Sequence, residues 1–102
     1  MIIVTGTAKL APGEIERLMP VLEAQMAGSQ AEEGCMQYDF SCHVSDPDTL
    51  IITERWVDQA ALDAHFTMPH MAEFNAALGT AKLLGVNVVE YQISSSRQLM
   101  GG

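Results

Sequence analysis

Basic residues are scarce in this chain. Its 102 residues include five Lys and Arg against thirteen Asp and Glu, for a formal net charge of −8 at pH 7. A nucleic-acid-binding surface needs clustered basic side chains to neutralise phosphates, and anionic membranes attract basic segments in the same way. We therefore expect neither a nucleic acid nor a membrane as a partner.

Cysteines, long apolar runs and targeting signals are also sparse. Cys35 and Cys42 are the only cysteines, and both fall on one predicted strand, where they are separated by ~23 Å rather than the ~7 Å that a disulfide bridges. No apolar run approaches the ~18 residues of a membrane-spanning helix. Residues 1–5 carry no basic segment or cleavage site typical of a signal peptide. We therefore expect reduced thiols and a cytoplasmic protein.

The common cofactor motifs are missing. The sequence contains no GxGxxG or P-loop pattern for nucleotides, and no HExxH or CxxC pattern for metals. His65 and His70 are five residues apart across a predicted helix break, unlike the i, i+4 pair of a helical metal site. We therefore predict that the protein binds no metal and no flavin or other cofactor.

The hydrophobic pattern predicts a single α+β domain over residues 1–93, followed by a loose tail over 94–102. Pro20 lies inside the first predicted helix, which it is expected to bend or split. The order of elements is that of a ferredoxin-like βαββαβ fold with an antiparallel sheet. The predicted elements are strands over 2–10, 35–44, 49–57 and 86–93, and helices over 14–31, 59–66 and from Pro69 to about Leu83.

A ferredoxin-like sheet carries helices on only one face, so its other face must be polar or covered. Here hydrophobic residues make up 48% of the chain and charged residues only 18%. Several predicted strands have apolar residues pointing to both faces, which indicates a homodimer that packs sheet against sheet. These neighbouring pairs are Ile2 and Ile3, Ile51 and Ile52, and Val88 and Val89.

Four short motifs lie in these elements: Glu33-Gly34-Cys35-x-x-Tyr38, Glu54-x-Trp56, Leu62-x-Ala64-His65 and Pro69-His70. Together they resemble the motifs of the antibiotic biosynthesis monooxygenase family, small dimeric α+β barrel proteins that include quinol monooxygenases. The resemblance implies a dimeric α+β barrel and oxygenation without metal or flavin, with O₂ and a small quinol or polycyclic aromatic as substrates. A haem-degrading branch of the family fits poorly.

Cofactor-free oxygenation needs an apolar pocket, a base and donors that hold an anion. His65 is the strongest candidate for the base, because imidazole titrates near neutral pH. Glu54 is the second catalytic candidate, since it shares a strand face with Trp56 and could orient a histidine through a hydrogen bond. The alternative is that His65 is a buried histidine satisfied by one partner.

Four further residues are candidates for binding the substrate. Trp56 could stack on an aromatic ring, although a core position is its more common role. Tyr38 could donate to a substrate oxygen or could simply pack in the sheet. Phe74 is expected in the cavity wall, and His70 lies at a helix start where a structural role competes with binding.

Two other functions stay open. An autoinducer isomerase branch of the same family shares Glu54-x-x-Val57-Asp58 and His65-x-x-x-Pro69-His70, which implies isomerisation of a small carbonyl compound by the same base. The scarcity of Lys and Arg argues against a phosphorylated substrate. The third alternative is a dimeric module that binds a ligand without catalysis.

Overall fold

The computed structural model describes residues 1–101. Its four strands form one antiparallel sheet in the order β2-β3-β1-β4. The architecture is the predicted α+β ferredoxin-like fold, with three helices. The elements are β1 (Ile2–Leu10), α1 (Glu14–Gln30), β2 (Cys35–His43), β3 (Asp46–Trp56), α2 (Gln59–His65), α3 (Pro69–Leu78) and β4 (Leu83–Gln92).

The end of α3 differs from the prediction. The helix ends at Leu78 with Gly79 as its C-cap, not near Leu83. Leu83 instead begins β4 and pairs with Leu10 of β1, so that Gly85 lies within the strand rather than at the helix end. The apolar residues after Leu78 prolong the helical pattern in the sequence, but pairing with β1 takes precedence.

Two predictions about the first half of the chain also need correction. Pro20 does not divide α1, which runs uninterrupted from Glu14 to Gln30. Both Pro20 and Glu16, whose carbonyl loses its helical donor, are exposed, so water can hydrate that carbonyl. The turn between β2 and β3 is shorter than predicted, because β3 already begins at Asp46.

The core lies between the helices and one face of the sheet. One cluster of buried residues joins Leu18 and Leu22 of α1 to Leu50 of β3 and Phe74 of α3, and a second joins Trp56 to Leu62 of α2. Leu62 is placed over the sheet because Asp58 caps α2 by accepting a hydrogen bond from the Ala61 amide. This cap starts the short helix that ends at the candidate base.

Strand β4 is exposed along its whole length and forms one edge of the sheet. Its exposed large residues include Val86, Val88, Val89 and Tyr91. Residues 93–101 form no helix or strand. Among residues 1–101, no helix combines the length and apolar character needed to cross a membrane.

Candidate active site

A cavity of about 250 Å³ lies between the sheet and helices α1 and α3. Its wall is apolar except for Tyr38, Glu54 and His65, and no lysine or arginine lines it. Phe40 and Phe74 also line it and stack on each other, with ring centroids 5.6 Å apart. The structure thus brings four of the six predicted site residues, Tyr38, Glu54, His65 and Phe74, to one wall.

Trp56 lies behind this wall rather than on it. Its side chain is fully buried, it does not line the cavity, and its ring centroid is 4.7 Å from that of His65. The interpretation that Trp56 stacks on a substrate is therefore wrong, because its indole faces are covered by protein. The indole instead supports the imidazole that does reach the cavity.

His65 is the last residue of α2 and is 1% exposed. Its Nδ1 atom lies 2.7 Å from Oε2 of Glu32, a residue outside the cavity wall. Among residues 1–101, no side chain or backbone group forms a hydrogen bond with Nε2 of His65. Because the ring lines the cavity while Nδ1 is engaged behind it, Nε2 is the nitrogen available to a bound molecule.

The partner of Glu54 is not the predicted histidine. Its Oε1 accepts a hydrogen bond of 2.9 Å from Nε1 of Trp56, and the carboxylate that contacts the histidines is Glu32. Burial raises the pKa of Glu54, and the hydrogen bond from Trp56 only partly opposes this rise. Glu54 therefore holds its proton to higher pH than an exposed glutamate.

One carboxylate oxygen of Glu32 contacts both histidines. Its Oε2 lies 2.7 Å from Nδ1 of His65 and 2.7 Å from Nε2 of His70, and its side chain is 7% exposed. The residue sits in the turn between α1 and β2. Gly34 in that turn has φ +84°, and a Cβ there would lie 2.6 Å from the Cβ of Ala61. This close approach presses the turn against α2 and holds Glu32 beside His65.

His70 does not line the cavity. Its ring packs over Gly28 of α1, where an added Cβ would come within 3.0 Å of the imidazole, and its side chain is 23% exposed. Its Nδ1 lies 2.7 Å from Oε1 of Gln25. His70 thus belongs to a polar network behind the wall, and its role as a substrate ligand stays a prediction.

Tyr38 connects this network to the cavity. Its ring lines the wall, and Nε2 of Gln25 donates to its hydroxyl at 3.2 Å. Burial raises the pKa of Tyr38 to about 12. The phenol therefore stays protonated through the neutral range and keeps its proton as a hydrogen-bond donor.

Gln25, Ser29 and Glu32 of this network were not among the predicted site residues. A signal for them exists, because residues 15, 18, 22, 25, 29 and 32 repeat at alternating intervals of three and four, which places them on one helical face. The first three are Ile15, Leu18 and Leu22, and the face becomes polar from Gln25 onward while Gln25 and Ser29 stay buried. Polar residues that continue a buried stripe indicate an internal network.

Glu32, His65 and His70 also present three ligand atoms within 4.8 Å of one another, a spacing that could hold a metal ion. Two ligands held tetrahedrally by zinc at ~2.1 Å stand roughly 3.4 Å apart. The two nitrogen–oxygen distances here are both 2.7 Å, which is the length of a charge-assisted hydrogen bond. These short distances therefore fit hydrogen bonds from the two histidines to Glu32 better than coordination of a metal ion by the three side chains.

A family model described as antibiotic biosynthesis monooxygenase matches residues 1–77, which include Tyr38, Glu54, His65 and Phe74 of the cavity wall. The chain belongs to the antibiotic biosynthesis monooxygenase family. YcnE of Bacillus subtilis, which is provisionally named a monooxygenase, is 32% identical over 76 residues, covering 74% of this chain and 80% of YcnE.

Two further family relatives extend the comparison. An uncharacterised Synechocystis protein, sll1783, is 32% identical over 73 residues, which cover 72% of this chain but only half of sll1783. A crystal structure from Deinococcus radiodurans, provisionally titled an antibiotic biosynthesis monooxygenase, superposes with a TM-score of 0.90 at 25% identity and covers 99% of this chain and all of that one. The family match, YcnE and the Deinococcus structure support a general monooxygenase-like function for the chain, whereas sll1783 has no named activity.

Proposed function

We propose that this protein is a cofactor-independent monooxygenase that oxygenates a small, electron-rich aromatic such as a quinol. The observation that carries the proposal is an apolar cavity whose wall holds one imidazole with a free nitrogen, one buried carboxyl group and one phenol. An apolar site suits an aromatic ring and O₂, while the imidazole supplies the base that makes the substrate an electron donor.

The size of the cavity limits the substrate. An engineered protein cavity of ~150 Å³ accepts benzene, and pockets for drug-sized ligands begin at ~300 Å³. A cavity of about 250 Å³ therefore suits one or two fused rings better than a larger polycycle. The wall offers no cationic side chain, so a phosphorylated substrate would have no counter-charge there.

In the proposed reaction, Nε2 of His65 removes a proton from a substrate hydroxyl. The resulting phenolate passes one electron to O₂, and the two radicals combine to form a carbon–oxygen bond. Tyr38 donates to the developing anion. His65 returns its proton to the peroxide, and the oxygenated carbon then loses its own C–H proton as the oxygen–oxygen bond breaks, which leaves a carbonyl group and releases water. Overall the substrate loses two hydrogen atoms and gains one oxygen atom, and the second oxygen leaves as water.

The test is oxygen uptake by purified protein with a panel of hydroquinones and naphthalenediols, run in parallel under nitrogen. We expect substrate-dependent oxygen consumption that is fastest for one- and two-ring compounds. Product formation that is equally fast under nitrogen would instead indicate an isomerase. Saturable binding of the panel without turnover would indicate a ligand-binding module.

We also propose that the protein is a homodimer, formed through the sheet face that the helices leave open. That face of the sheet carries Ile51, Val89 and Tyr91 among threonines, and lies opposite the cavity. A second copy packed on this face would cover these apolar side chains.

Light scattering checks this proposal. Wild-type protein should elute at twice the chain mass of 11.1 kDa. Val89→Asp should shift the protein to monomer, because it places a charge in the apolar contact. Val44→Asp, at a fully exposed position in the β2–β3 turn, is the matched control and should stay dimeric. A wild-type monomer at micromolar concentration would refute the proposal.

A further inference from the structure

We infer that Glu32 is a positioning residue that fixes the proton of His65 on Nδ1, and that His70 is an imidazolium that neutralises Glu32. The Gln25–His70–Glu32–His65 chain would then hold Nε2 of His65 unprotonated toward the cavity. The consequence for catalysis rests on the proposed function, whereas the proton positions themselves do not.

The contacts of the Gln25 side-chain amide fix which of its terminal atoms is the nitrogen and which is the oxygen. One of its terminal atoms lies 2.8 Å from Sδ of Met71 and 3.2 Å from the hydroxyl of Tyr38, and the other lies 2.7 Å from Nδ1 of His70. A thioether can only accept a hydrogen bond. The atom beside Met71 must therefore be the amide nitrogen, because an oxygen there would face sulfur with no proton between them.

The protonation of His70 follows from that orientation. Since Oε1 of Gln25 is an acceptor, Nδ1 of His70 must carry a proton to bond with it. On the other side of the ring, Nε2 faces Oε2 of Glu32 at 2.7 Å. An ionised carboxylate only accepts hydrogen bonds, and Oε2 of Glu32 faces a ring nitrogen on each of two sides, so the proton in this second contact belongs to the ring. His70 thus donates through both nitrogens and is positively charged.

The tautomer of His65 follows from the charge of Glu32. Oε2 of Glu32 accepts from His70 and lies 2.7 Å from Nδ1 of His65, while Oε1 is buried with no hydrogen-bond partner among residues 1–101. A carboxylate has no proton to donate, so Nδ1 of His65 must donate to it. A neutral imidazole protonated at Nδ1 presents Nε2 as an acceptor, which is the form that a general base requires.

Nitrogen NMR of the histidine side chains tests the inference directly. The chain has only three histidines, and the exposed His43 serves as the internal reference. At pH ~8, where an ordinary imidazole is mostly neutral, we expect His65 to be protonated at Nδ1 alone and His70 at both nitrogens. His65 protonated at Nε2, or a neutral His70, would overturn the inference.

Glu32→Gln removes the charge of this carboxylate and keeps its size. We expect His70 to become neutral and His65 to lose its single tautomer, and kcat to fall by at least about 10²-fold, as when other base-orienting carboxylates are replaced by amides. KM should be unchanged, because Glu32 does not line the cavity. The matched control is Glu33→Gln, at the neighbouring exposed position, which should match wild type in every measurement.

The outcomes separate this inference from the proposed function. If the wild-type protein shows the expected proton positions but consumes no oxygen with any substrate, the proposed function fails and the inference stands. If the protein turns over but Glu32→Gln leaves the tautomer and kcat unchanged, the inference fails alone. One equivalent of tightly bound zinc that is lost in Glu32→Gln would also overturn it, since a metal would replace both shared protons. If Glu32→Gln fails to fold, the wild-type spectrum still decides.

Discussion

Replacing His65 with alanine is expected to lower kcat by about 10²-fold or more, the usual scale for losing a general base. His65 is the only histidine in the cavity wall, and the one carboxyl group there, Glu54, already accepts a hydrogen bond from Nε1 of Trp56. The described wall therefore offers no second imidazole that could take over the role of His65. The measurement is steady-state turnover of whichever aromatic compound the oxygen-uptake panel identifies.

Two variants separate this chemical effect from a structural one. His65→Gln refills the space and keeps an N–H that can reach Glu32, so it should fold like wild type and remain as slow as His65→Ala. His43→Ala removes an exposed histidine in the β2–β3 hairpin and should keep full activity. If both His65 variants turn over at the wild-type rate, the alternative interpretation of His65 as a satisfied core histidine is correct.

Trp56→Ala is expected to reduce the free energy of unfolding by ~3–5 kcal/mol, the range for deleting a large buried aromatic side chain. The indole is completely buried and lies against the rings of Tyr38 and His65. Its loss also leaves the carboxyl group of Glu54 without its hydrogen-bond donor. Denaturant unfolding with a linear extrapolation gives the value.

Trp56→Phe isolates the lost hydrogen bond, because phenylalanine refills most of the space without an N–H. Burial raises the pKa of Glu54, so the stability contributed by this group is lost as pH rises above the range of an ordinary carboxyl. Removing the indole N–H raises the pKa further. The stability difference between Trp56→Phe and wild type should therefore be smallest at acidic pH and increase toward neutral pH. A difference that does not vary with pH would contradict this pairing.

Much of the fold can be predicted from the sequence, because period-two and helical patterns are strong in β1, β2 and α1. The boundary between α3 and β4 cannot, since Leu78 and Ala81 continue the helical spacing of Met71 and Phe74, whereas pairing with β1 is non-local. Propensity alone does not contain the information that Leu10 needs a partner.

The candidate site is predicted in outline only. Tyr38, Glu54, His65 and Phe74 were expected at one cavity, and the structure places them in its wall. The sequence does not show that Glu32, rather than Glu54, contacts His65. Both carboxyl groups are near His65 in space, and only side-chain packing decides which one reaches it. The turn at Gly34 packs closely against α2 and so places Glu32 beside His65.

Labelling of the product with ¹⁸O₂ tests cofactor-free oxygenation most directly. Wild-type protein treated with a strong chelator and shown to be free of flavin would be incubated with the best quinol under ¹⁸O₂, and the product analysed by mass spectrometry. We predict one labelled oxygen atom per product molecule and an equal amount of labelled water. Product without label, or turnover that disappears with the chelator and returns with an added metal, would contradict the proposed mechanism.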